Sequence, residues 1–152
     1  MCSMENVPWW VALTTWVVVN LVNLVQSVGF ASRRRHGMVV NHLLGVVVAV
    51  LAVPATAALV GYARVGSLWW LGPAMFDLFV FLMLAVDYVW PVEFRHPAKP
   101  AILVPYLLLF FGSILVMGAS MFELNRGLWL VTVATSVTLL GNMALAMRMG
   151  TG

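Results

Sequence analysis

Five apolar stretches, each long enough to cross a bilayer, take up most of this 152-residue sequence. They run about Trp9 to Phe30, Met38 to Gly61, Ser67 to Val89, Ala101 to Phe122 and Leu128 to Met147. At about 1.5 Å of rise per residue, roughly 20 helical residues cross the roughly 30 Å of hydrocarbon in a membrane. Lipid offers no hydrogen bonds to exposed backbone, so only helices and closed barrels span it. The stretches are rich in β-branched residues, which favour strands in water. They are nevertheless too long, and alternate too little, for the roughly ten-residue strands of a membrane barrel. The expected fold is all-α: a polytopic integral membrane helix bundle of five transmembrane helices, forming one domain over 1–152.

Composition agrees. Hydrophobic residues make up 63% of the chain and charged residues 9%, where a soluble domain carries about a quarter charged residues. The first stretch is preceded by Glu5 and by no Lys or Arg, so it reads as a retained helix rather than a cleaved signal. Cys2 is the one cysteine, which excludes an internal disulfide and a cysteine-rich metal site.

The net charge of +3 does not point to nucleic acid, because the cations sit in short loops between apolar runs. With the N-terminus outside, the inner loops and tail hold Arg33, Arg34, Arg35, Arg95, Lys99 and Arg148, and the outer side holds Arg64 and Arg126. That imbalance predicts N-out, C-in. Trp9, Trp10, Trp69, Trp70 and Trp129 then gather at the outer interface and Trp90 at the inner one, as an aromatic belt does. The Arg33–Arg35 triplet is expected to act as a topology anchor, with contact to anionic lipid headgroups as the alternative.

The chemistry that remains lies in polar residues within the spans. Asp77 falls near the middle of the third, where an acidic side chain costs roughly 2.5–3.5 kcal/mol to insert. Such a residue faces a bundle interior, a water path or another subunit. Asp87 is about 15 Å further along the same helix, too far to share a proton with Asp77. His42 lies at a similar depth to Asp87 on the second span, and a His42–Asp87 hydrogen bond is expected. Asn20, Asn23 and Ser27 recur at helical spacing and share one face of the first span, which should turn away from lipid. Asn142 of the fifth span is expected to join that network. Pro54 should break the second span and free the carbonyl of Val50.

No complete catalytic pattern accompanies these residues. There is no G-x-S-x-G elbow, no H-E-x-x-H site and no phosphate-cradling glycine loop. A self-contained bis-histidine haem lacks its second histidine, since only His42 lies within a span. Arg95-His96-Pro97 resembles the RHP element of the membrane methyltransferases that modify isoprenylcysteine or phospholipid headgroups. The likeness covers three residues and then departs at Ala98-Lys99-Pro100, so it assigns no family.

The expectation is a small accessory or scaffold subunit of a larger membrane complex, one associated with electron or proton transfer, in a bacterial or archaeal cytoplasmic membrane. Its partners would be lipids and either other membrane subunits or copies of itself. No cofactor is expected within this chain alone; lipid, or a haem or quinone held by a partner, is the alternative. One competing reading is an oligomeric small-solute or ion carrier or channel using Asp77 and the Asn20/Asn23 face. Another is a membrane enzyme with an inner-face site of His42, Asp87 and His96, flanked by Arg95.

Overall fold

The computed structural model describes residues 6–92 and 99–149, and within them all side chains except those of 33–39 and 41. The arginine triplet, Arg95 and His96 therefore lie outside what is described in side-chain detail. The elements are α1 (Trp9–Val50), α2 (Ala52–Arg64), a 3-10 turn (Leu68–Trp70), α3 (Leu71–Leu84), a π-helical turn (Ala85–Val89), α4 (Pro100–Leu124) and α5 (Arg126–Arg148). No strand occurs among the described residues.

Five helical stretches are long and apolar enough to cross a membrane: Trp9–Ser32, His42–Arg64, Leu68–Val89, Pro100–Leu124 and Arg126–Arg148. They coincide with the five apolar runs, with ends displaced by about one turn at most. One helical element, α1, carries the first span and the start of the second, up to Val50, but its limbs fold against each other. Val48 packs in one cluster with Val18, Val19 and Val22, and a Cβ added at Gly61 would sit 2.5 Å from Val11 Cγ2. Residues 50 apart meet in this way only if the chain doubles back between the first and second spans.

Pro54 acts as expected. It has no N–H to offer the carbonyl of Val50, and α1 stops at that residue. Helix resumes at Ala52, with the Ala55 amide donating to the Leu51 carbonyl at 3.2 Å. The bend opens an apolar groove of about 300 Å³ lined by Leu13, Thr14, Val17, Val18, Leu21, Leu51 and Pro54.

Successive spans pack side by side, and α5 closes the ring on α1. The turn from α4 to α5 is a single residue, Asn125, whose side chain caps α5 by accepting from the Leu128 amide at 3.1 Å. Although α5 neighbours α4, its principal partner is α1. Half of the first span's apolar window is buried, against 17% of the fifth's, so the first span is the central post of the bundle. One cluster of buried side chains fills mid-bundle around Phe76, Phe79, Phe110 and Met117. A second, around Val11, Tyr62 and Met121, fills the end that carries Trp69 and Trp129. Gly72 lets α3 and α4 approach: a Cβ there would lie 3.0 Å from the Met117 backbone nitrogen and 2.8 Å from its Cγ.

Candidate functional site

Polar side chains cross the bundle in three places. The first is a seam between α1 and α5. Asn20, Asn23 and Ser27 fall on one face of the first span and are buried, Asn23 completely. Opposite them stand Thr132, Thr135 and Ser136, which share a face of α5 because three and four residues make about one turn. Asn20 spends both amide protons, on the Trp16 carbonyl at 2.8 Å and on Thr132 Oγ1 at 3.1 Å. Its oxygen accepts from the Thr135 hydroxyl at 2.8 Å. Asn23 donates to Thr135 Oγ1 at 3.1 Å and to Ser136 Oγ at 2.9 Å. The expected burial of this face is what the structure shows. The expected role of Asn142 is not: its amide makes no hydrogen bond among the described residues. It lies about 9 Å beyond Ser136 along α5, past the last buried amide it would have to reach. One turn nearer the other end, the Trp16 indole donates to the Leu128 carbonyl at 2.9 Å and continues the same seam.

The second crossing joins α2 to α3. Asp77 is half-buried, and its Oδ2 lies 3.0 Å from the Thr56 hydroxyl. Oδ1 is buried and meets no partner among the described residues. Thr56 itself is exposed on the outside of the bundle. Both residues lie near the middle of their spans. The pair therefore opens toward the surroundings midway along both spans.

The third lies at the opposite end from Trp69 and Trp129, around the π-helical turn. There the Trp90 amide reaches back five residues to the Ala85 carbonyl, at 2.8 Å. Two successive residues of the turn then serve opposite neighbours. Tyr88 donates to the backbone carbonyl of His42 at 2.6 Å, and its ring meets the His42 ring edge-on at 5.3 Å. The hydroxyl lies over Gly45, where a Cβ would collide with it. Asp87 turns the other way, its Oδ2 accepting from the Tyr106 hydroxyl at 3.4 Å. The expected His42–Asp87 hydrogen bond is thus replaced by His42–Tyr88 and Asp87–Tyr106. The π turn rotates these residues relative to a regular helix. The third ligand of the envisaged His42, Asp87 and His96 set lies outside the described residues, and no three His, Cys, Asp or Glu gather among those described.

A fourth polar group is enclosed without crossing the bundle. Tyr62 is fully buried with its hydroxyl beside those of Thr15 and Ser120. Thr15 and Ser120 donate back into their own helices, to the carbonyls of Val11 at 2.9 Å and Met117 at 2.8 Å.

Sequence reasoning found Asp77, Asn20 and Asn23 but missed their partners. Thr132, Thr135 and Ser136 carried a signal, the three-and-four spacing that marks a shared face. Thr56 carried none, because a lone threonine in a span looks like many others. No family model, curated protein or solved structure matches this chain.

Proposed function

We propose that this chain is an integral membrane protein, N-terminus outside and C-terminus inside, that serves as a small accessory or scaffold subunit of a larger membrane assembly handling protons or electrons. The orientation rests on the loop cations, Arg33, Arg34, Arg35, Arg95, Lys99 and Arg148 against Arg64 and Arg126. The subunit role rests on one observation: the Asp77–Thr56 pair opens to the outside of the bundle at mid-span. Lipid is a costly neighbour for an acidic side chain at that depth. A partner helix laid over α2 and α3 would remove the cost. The amide face of the first span does not compete for this role, since α5 already takes up its donors. Asn23 Oδ1 and Ser27 Oγ are buried there without a partner among the described residues, so the carrier reading keeps two acceptors on that face.

The test is the composition of the particle extracted from native membranes into lipid nanodiscs, with its absorption spectrum recorded on the same sample. The expected result is a particle containing other chains together with haem or another redox group. A homo-oligomer free of partners and pigment would overturn the proposal. It would shift the reading to an oligomeric carrier or channel built on Asp77, to be tested by flux through Asp77→Asn proteoliposomes.

A further inference from the structure

The contacts of Thr56 constrain where the protons are. Its Oγ1 lies 2.9 Å from the Ala52 carbonyl oxygen and 3.0 Å from Asp77 Oδ2. A hydroxyl has one proton to donate and lone pairs with which to accept. The Ala52 oxygen can only accept. An ionised carboxylate can only accept as well, so one of the two short contacts would then lack a proton of its own. A protonated carboxyl closes the count: Asp77 donates from Oδ2 to Thr56 Oγ1, and Thr56 donates to the Ala52 carbonyl.

The other carboxyl oxygen leads to the same assignment. Oδ1 is buried without a partner, and Thr56 is the sole hydrogen-bond or ion-pair partner of Asp77 among the described residues. A carboxylate would leave part of a negative charge on Oδ1 with no donor or cation to balance it. The carbonyl oxygen of a neutral acid tolerates that position at far lower cost. The other titratable groups on the packed spans lie away from the pair, with Arg64 and Glu123 at the ends of their spans. Tyr62 of α2 lies beside Thr15 and Ser120. His42 and Tyr88 pair with each other, and Asp87 with Tyr106 of α4.

We propose that Asp77 and Thr56 form a proton-binding site at mid-span, in which the neutral carboxyl of Asp77 donates from Oδ2 to Thr56 and Thr56 in turn donates a hydrogen bond to the Ala52 carbonyl. The ligand is a single proton. Its loss would leave a carboxylate with one shared donor, so the proton leaves only when water or a partner supplies a replacement. Thr56 is exposed, and its side of the bundle is the one from which such a group reaches the site. The site stands whether or not a partner covers that face.

The sequence makes a direct test available, because Asp77 and Asp87 are its two aspartates. The full chain, labelled with side-chain carboxyl 13C-aspartate and held without partners in lipid nanodiscs, is examined by infrared spectroscopy at neutral pH. The expected result is an isotope-shifted C=O band of a protonated carboxyl, lost in Asp77→Asn and retained in Asp87→Asn. In Thr56→Val the band should move to the frequency of an acid that donates no hydrogen bond. Carboxylate bands alone from the Asp87→Asn protein, in which Asp77 is the only labelled side chain, would overturn the proposal even if Asp77→Asn does not fold. An unmoved band in Thr56→Val would overturn the donor assignment. Since no partner is present, the outcome is independent of whether the chain belongs to a larger complex.

Discussion

The seam between α1 and α5 and the pair between α2 and α3 both carry polar side chains through the middle of an apolar bundle, yet they are finished differently. In the seam, every amide proton of Asn20 and Asn23 has an acceptor, and all but the Trp16 carbonyl lie on the facing helix. Neither is complete, since Asn23 Oδ1 and Ser27 Oγ in the seam and Asp77 Oδ1 in the pair are all buried without a partner among the described residues, but in the pair the group is an acid and its threonine partner faces outward. A network of several cross-helix bonds enclosed in a bundle holds helices together. An open one at the same depth keeps chemistry in reserve. The residues that looked most alike in sequence, polar groups buried in apolar runs, therefore separate into packing and function according to whether they are enclosed between helices or open to the outside of the bundle.

The largest effect that would break this contrast lies in the seam. Replacing Asn20 and Asn23 together by leucine removes four cross-helix hydrogen bonds, each worth about 0.6 kcal/mol in a membrane bundle. Unfolding in mixed micelles should show a loss of about 2–3 kcal/mol. A change within error would mean that the amides are not what holds α5 to α1. The pair should respond in the opposite sense. Asp77→Asn is expected to change folding by less than about 1 kcal/mol, because a neutral amide replaces a neutral acid. It should weaken association with the rest of the assembly about tenfold, or about 1.4 kcal/mol, read as the fraction of chain recovered in the native particle. If Asp77→Asn unfolds the chain while leaving assembly of the folded fraction intact, the two regions have been assigned the wrong way round.

Two smaller effects sharpen the comparison. Tyr88→Phe loses the 2.6 Å hydrogen bond to the His42 carbonyl and should cost about 1 kcal/mol, with faster amide exchange confined to the His42 end. A double-mutant cycle on Asn23 and Ser136 should give a coupling of about 0.6 kcal/mol, and no more than about 1.7. The same cycle on Thr56 and Asp77 should show coupling in the infrared spectrum of the carboxyl rather than in stability.

The corrections at the His42 end and at Asn142 have a common origin. Depth along a helix can be read from residue number, since each residue adds about 1.5 Å. Rotation about the axis cannot, once a turn departs from 3.6 residues. His42 and Asp87 were matched correctly in depth, but the π-helical turn presents Tyr88 to His42 and sends Asp87 to Tyr106. Asn142 was assigned by residue type, whereas membership of the seam follows position on α5, where Thr132, Thr135 and Ser136 stand level with Asn20 and Asn23.

What this sequence determined unaided is whatever follows from local length and composition. The five apolar helices, the break at Pro54 and the common face of Asn20, Asn23 and Ser27 all arise from hydrophobicity and helical spacing along one segment. What only the tertiary structure decided is which segments meet and which donors are spent. The closure of α5 on α1 brings together side chains more than a hundred positions apart, and Thr56 gains its significance solely from Asp77 on the neighbouring helix. Hydrogen bonding between helices depends on rotation and packing of both partners at once, and no single stretch of sequence carries that information.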